Sequence, residues 1–421
     1  MRLAHFGWMG ILVACGQPAD SDDAEQVVGP TYYEDVQPIL NQNCVSCHFT
    51  GGIAPFPLET FEQASVVAAN IKVSTASRTM PPWKADNSGD CQTWADARWL
   101  TDDQIATLGE WVDNGSPAGN PEDAPEDTAE ELPGLNTIDA TADMGISYTP
   151  NDTEEDDYRC FLVDLGATGN QYLTGFEVHP GEARVVHHVV LFDIMDDDAL
   201  AQAQAMDDAE EGEGYTCFGG SGVNGNLVLA WAPGSPPTQF PAGTGLPLNA
   251  SRPAILQMHY NTTGGTFPDR TTIDLQLADE VETPSAFGFL VDTELHLTAG
   301  QTDVSTASEW SMADLSEWWG APEDAHFNLY GAFPHQHKLG KSIKVERIRD
   351  GEATCLIDVP AWDFHWQQMY FYDHAPIDIA PTDDIRVSCS YDTSTATEDV
   401  YWGEGTNDEM CVAGMYLAAA P

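Results

Sequence analysis

The chain has 421 residues, too many for one ordinary domain and enough for two to four. Hydrophobic residues make up 42% of it, so buried cores can form and wholesale disorder is excluded. Against 15 Lys and Arg stand 68 Asp and Glu, and the resulting charge of −53 repels nucleic acid and anionic lipid headgroups.

Such an acidic surface suits salty water. No acidic stretch matches a Ca²⁺ loop of the DxDxDG type, which argues against a dedicated cation store. Residues 1–15 read as an export signal: Arg2 gives a thin basic start, an apolar run reaches Val13, and the segment closes as Leu12-Val13-Ala14-Cys15. That ending resembles a bacterial lipobox, in which Cys15 carries the lipid; the alternative is a plain signal peptide with an incidental Cys15. Residues 16–30 are acidic and rich in small residues, as a flexible tether would be. No later run reaches the ~18 unbroken apolar residues that a spanning helix needs, so membrane attachment is expected by lipid anchor only. The expected setting is outside the cytoplasm: a periplasmic or cell-surface lipoprotein of a bacterium, at the outer membrane. In an oxidising compartment the nine cysteines, less Cys15 and the pair Cys44 and Cys47, leave an even remainder that reads as disulfides.

Residues 31–118 are predicted to form a small all-α unit. Val36, Ile39 and Leu40 make a helical stripe before Cys44. Thr101 is a plausible N-cap for a second helix with Ile105, Leu108, Trp111 and Val112 inward and Gly115 at its end. Between the helices stands Cys44-Val45-Ser46-Cys47-His48, the CxxCH pattern in which two thiols form thioethers to haem and the histidine ligates iron. A zinc site would need a second ligand pair nearby, and none is visible. The sixth ligand should follow some thirty residues later, where Met80 stands before Pro81 and Pro82, which stiffen the backbone behind the sulfur. His/Met ligation raises the reduction potential and suits electron transfer. The unit resembles a class I cytochrome c domain with covalently bound haem c.

Residues 119–144 read as an acidic linker, because the Glu, Asp and Pro of Pro121 to Leu132 cannot bury enough apolar surface to order themselves. From residue 145 the pattern changes to short apolar runs separated by Gly, Pro and Asp: Val185 to Phe192, Ala254 to Tyr260, Phe287 to Val291 and Ile343 to Ile348. Long helices are expected to be nearly absent. This predicts antiparallel β-sandwiches, and the length fits two, residues 145–284 and 285–421.

Five histidines and one methionine of this region stand in four short motifs. His335 and His337 share a face if they lie on a strand, so one metal can take both. His187 and His188 would point to opposite faces of a regular strand and reach one metal only at a bend or a strand end. His259 stands in Gln257-Met258-His259-Tyr260, and Met410 precedes Cys411. HHVVLF, QMHYN, HQHKLG and DEMC, in that order, resemble the copper type II ascorbate-dependent monooxygenases, which include peptidylglycine α-hydroxylating and dopamine β-monooxygenases. The resemblance covers roughly residues 145–420.

It implies two jelly-roll-like copper domains. His187, His188 and His259 would hold an electron-transfer copper, and His335, His337 and Met410 an oxygen-activating one at the catalytic position. A thioether is soft and favours Cu(I), the form that meets O₂. The implied activity is hydroxylation of a C–H bond of a small organic substrate with O₂, with electrons from ascorbate or another reductant. A haem on the same chain is expected to supply those electrons, and a redox partner protein to feed it. The alternative is a haem/copper electron-transfer or copper-binding lipoprotein without oxygenase activity. The resemblance also implies disulfides Cys160–Cys217 and Cys389–Cys411, with Cys91 and Cys355 either a third bridge or two free thiols. Where the peptide-amidating relatives carry an arginine and two further carboxylate-gripping residues, this chain has Phe333, Val412 and Gly414. A peptide carboxylate would lack its bidentate partner. His179, His296, His326, His365 and His374 match no motif and are expected to be structural or on the surface.

Overall fold

The computed structural model describes residues 29–420 except 53, 96, 126–133, 219, 234, 236, 365 and 404–406. The expected signal peptide with Cys15, nearly all of the tether, the middle of the acidic linker and His365 lie outside the described residues.

A π-helical turn at Tyr32–Val36 leads into a helix at Gln37–Asn43, and further helices follow at Phe61–Val66, Ala68–Ala76 and Asp102–Asp113. Thr60 and Thr101 each complete a capping box, their hydroxyls accepting from the amides of Gln63 and Gln104. Val36, Leu40, Leu108 and Trp111 bury together with Tyr32, and Ile105 and Val112 pack partly buried against them. Gly115 ends the last helix at φ +84°, a left-handed conformation that costs glycine little.

One stretch of residues 31–118 departs from this unit. Trp83, Ala85 and Trp94 are buried in the core of the second β-sandwich, with Ala97 and Trp99 against it. Trp94 pairs by a β-bridge with Tyr372 and stacks on it at 5.1 Å. The Cys91–Cys355 disulfide fastens the same segment. Its aromatic residues serve either core equally well in a sequence pattern, and the larger core takes them.

Beyond residue 139 the chain is mostly β. One five-stranded antiparallel sheet runs Tyr215–Thr216, Asp156–Val163, Ala254–Asn261, Val186–Ile194, Gly225–Trp231 from edge to edge. A four-stranded sheet runs Val304–Ser311, Asp384–Tyr391, Gly340–Arg349, Glu352–Val359. The largest sheet passes through both halves. Thr244–Asn249 of the first half pairs in parallel with Thr283–Val291, which pairs in turn with Val412–Ala419. Each smaller sheet packs on its part of the large one, over cores that include Val189, Leu191 and Met258 in the first half and Ile343, Val345 and Val387 in the second. Cys160–Cys217 and Cys389–Cys411 are both bonded.

One long helix, Asp197–Ala209, interrupts the β region past residue 145. Asp196 caps it, its Oδ1 accepting from the Ala199 amide at 2.7 Å. Only Ala199 and Ala203 are buried on its inner face, and such small residues leave little apolar period to read.

Candidate metal centres

His187 and His188 lie on Val186–Ile194, beside the strand that carries His259. Val186 is opposite Tyr260 and His188 opposite His259, so His187 is one residue more than the ladder needs. That β-bulge turns the intervening side chain and lets two adjacent imidazoles converge, which a regular strand forbids. Ligand nitrogens of the three rings lie within 4.8 Å of one another. His187 Nδ1 and His259 Nδ1 are 3.3 Å apart. Two imidazole nitrogens at about 2.0 Å from one metal, at a tetrahedral angle, have roughly this separation. His259 Nε2 is 3.0 Å from Asp156 Oδ1, which leaves Nδ1 for the metal, and Tyr158 stacks on the ring at 4.2 Å. The hydrogen bond from His259, with Asn261 assisting, holds Asp156 at about 2 despite burial. Asp156 is therefore a carboxylate at neutral pH.

His335 is the last residue of Phe327–His335, and His337 follows just beyond the strand. Their rings are 5.1 Å apart and nearly perpendicular. His335 Nδ1 lies 2.6 Å from Gln367 Oε1 and His337 Nδ1 3.0 Å from the carbonyl of Asp408, so both rings keep Nε2 for a metal. Desolvation and the neighbouring His337 push His335 down to about 4, so it is neutral, the ligand form. Buried Glu409 accepts from the amides of His337 and Met410 through Oε2 and from Leu339 through Oε1. One carboxylate thus ties the HxH turn to the methionine. Burial pushes Glu409 up to about 7, against the pull of those amides. Both donor sets, three imidazoles in one and two imidazoles with a thioether in the other, suit copper.

A cleft with about 1550 Å³ of empty space, its open mouth included, brings the two sets face to face. His188 and His259 are on one wall, His335, His337 and Met410 on the other. Among the described residues lining it there is no Asp, Glu, Lys or Arg; Phe192, Trp231, Phe289, Phe333, Phe364 and Trp402 dominate. Phe333 stacks on His335. Val412 lines the cleft, and Gly414 leaves room for Phe289 and Phe333, whose atoms a Cβ would meet at 3.0 and 3.3 Å.

A second pocket, with about 840 Å³ of empty space, gathers Cys44, Cys47, His48 and Met80. Cys44 and Cys47 are unbridged. His48 Nδ1 is 2.8 Å from the carbonyl of Phe56, leaving Nε2 available. The thiols, the oriented imidazole and the thioether in one pocket fit a covalently attached haem.

His179, His296 and His326 are exposed and face Asp274, Asp399 and Asp378, while exposed His374 lies against Gln92. Asp156, Gln367 and Glu409 drew no notice in the sequence. Their roles arise from partners at least 30 residues away, save for Glu409, whose place beside Met410 is the only local signal.

Residues 143–266 match the copper type II ascorbate-dependent monooxygenase N-terminal domain, and residues 321–419 the C-terminal domain of the same family. Together these cover more than half of the chain. Peptidyl-glycine alpha-amidating monooxygenase A of Xenopus laevis is 26% identical over 266 residues, 62% of this chain and 26% of that protein. Tyramine beta-hydroxylase of Caenorhabditis briggsae is 22% identical over 302 residues, 67% of this chain and 46% of that protein. The Mus musculus peptidyl-glycine alpha-amidating monooxygenase is 24% identical, over 68% of this chain and 27% of that protein. The chain thus spans between about a quarter and just under half of the length of these relatives. Among solved structures, the Broad Bean Stain Virus particle aligns at a TM-score of 0.26 and 7% identity, over 69% of this chain and 92% of that one, too distant to bear on the site. The chain belongs to the copper type II ascorbate-dependent monooxygenase family.

Proposed function

We propose that the chain is a copper-dependent monooxygenase that hydroxylates a C–H bond of a small, uncharged, apolar substrate with O₂, its electrons supplied through a fused c-type haem. The observation that carries this is the cleft in which the two histidine sets face each other across an aromatic lining. Bound copper would supply one-electron chemistry toward O₂, with Met410 favouring the reduced metal.

The chain's own residues do the rest. His187, His188 and His259 bind one ion, with Asp156 fixing the His259 ring. His335, His337 and Met410 bind the other, with Gln367 and Glu409 setting ring and backbone. Phe289, Phe333 and Phe364 exclude water and favour an apolar guest. A charged amine or carboxylate would enter the cleft without a counter-ion among its described residues, at a high desolvation cost.

Cys44 and Cys47 would carry the thioether bonds of haem c, His48 the proximal ligand and Met80 the sixth, in a cytochrome c-like unit. A haem so ligated supplies single electrons. Ascorbate, another small reductant or a redox partner protein recharges it. Three disulfides support an oxidising compartment, in keeping with a lipoprotein anchored through Cys15 at the bacterial surface.

The test begins with metal analysis of the purified full chain, where two coppers and one haem are expected. O₂ uptake by the reduced protein is then followed against uncharged aromatic and aliphatic compounds, amines and peptidylglycines. Uptake coupled to a product bearing one atom from labelled O₂, lost in His335→Ala, supports the proposal. Equal turnover of a peptidylglycine overturns the substrate class, and no product from any compound overturns the oxygenase.

A further inference from the structure

The haem pocket is not closed by the helical unit alone. Its remaining wall comes from the copper half: His187, Pro233 and Trp366 line it together with Cys44, Cys47, His48 and Met80. The substrate cleft is lined by His188 and His259 but not by His187. The β-bulge therefore divides the three imidazoles between two faces of one metal centre, with His187 toward the haem pocket and the other two toward the cleft.

From this we propose that His187 is the electron-entry ligand, the side chain common to the haem pocket and the first copper site, so that this copper is reduced at a fixed contact within the chain. The proposal rests on the preceding reading that haem and copper are both bound. In the step, one electron leaves the ferrous haem, which becomes ferric, and converts Cu(II) held by His187, His188 and His259 to Cu(I). No bond is made or broken and no proton moves. An external one-electron reductant then restores the ferrous haem.

The contact does not depend on a swinging domain. The segment that follows Met80 is fastened to the second sandwich by the Cys91–Cys355 bond and by buried Trp83 and Trp94. Gln92 donates to the Cys355 carbonyl at 2.6 Å, and the Ala95 amide to that of Phe371 at 2.9 Å. The helix Asp102–Asp113 begins three residues after Trp99, so the haem unit is held on the far side of this strap as well. Trp366, in the pocket wall, precedes Gln367, which orients His335. The haem pocket therefore abuts the supports of both metal centres but touches a ligand of only the first.

Two measurements on the full-length, copper-loaded holoprotein test this. In the first, the electron-spin relaxation of the imidazole-held Cu(II) is compared between the fully oxidised holoprotein, where the haem is ferric, and a copper-loaded, haem-free Cys44→Ala/Cys47→Ala chain. Several-fold faster relaxation beside ferric haem is expected. Identical relaxation in the two would overturn the proposal. In the second, pulse radiolysis delivers less than one electron per chain, and the haem absorbance is followed anaerobically. Reoxidation at a rate independent of protein concentration, with loss of the imidazole-copper signal before the thioether-copper signal, is expected. A rate that rises with concentration, a haem that stays reduced, or prior reduction of the Met410 copper would overturn it. Metal analysis showing no haem or no copper would instead refute the earlier reading. An absence of hydroxylated product with both results intact would remove the oxygenase and leave the electron path standing.

Discussion

Asp156 Oδ1 lies 3.0 Å from His259 Nε2, and the same oxygen accepts from Asn261 Nδ2 at 3.1 Å. The carboxylate fixes which nitrogen of His259 faces His187 and raises the basicity of the ring. Asp156→Ala is expected to weaken copper at the three-histidine site by about 10- to 100-fold and leave the Met410 site unchanged. Chelator competition monitored by the electron-spin signals of the two coppers measures this. Equal loss at both sites would contradict the separate assignment.

Glu409 gives the second centre its own anchor, and here both oxygens accept from backbone amides. Glu409→Gln turns one acceptor into a donor that faces an N–H. The expected cost is about 1–3 kcal/mol of stability, read by denaturant unfolding of the metal-free protein. Looser copper at the Met410 site should accompany it.

Phe333 lines the cleft and stacks on His335. Phe333→Arg should lower kcat/KM for an uncharged apolar substrate by about tenfold or more and improve the relative turnover of its carboxylate analogue. Paired rates on the two compounds decide the matter.

Cys91→Ser/Cys355→Ser should lower stability by about 2–5 kcal/mol. Trp83 and Trp94 remain buried in the second sandwich, so hydrogen exchange at residues 83–99 should stay slow below the unfolding transition. Fast exchange there would show that the disulfide alone holds the strap.

The helix after Thr101 was legible because its cap, its apolar period and Gly115 agree. The β character past residue 145 was legible for a similar reason, since its short apolar runs repeat over several segments, whereas the ligand motifs stood out only by their resemblance to a family. The convergence of His187 with His188 was hidden, because a bulge is a property of pairing with His259 and Tyr260 rather than of the strand itself. That Trp83 and Trp94 bury in the second sandwich was not legible, because tryptophans mark burial without naming the partner. Asp156, Gln367 and Glu409 look like ordinary surface polars until the chain brings their histidines to them.

The large sheet has one further consequence. Thr283 and Pro284 of the second half pair with Thr244 and Gly245 of the first, and Tyr416 of the last strand packs on Phe240 with its hydroxyl 3.0 Å from Thr244 Oγ1. A clamshell opening of the two halves would tear this shared ladder and expose its aromatic plug. The gap between the two metal centres is therefore set by the backbone like the jaws of a fixed gauge. Phe218 and Trp402, exposed aromatics on either half, line the cleft across that fixed gap.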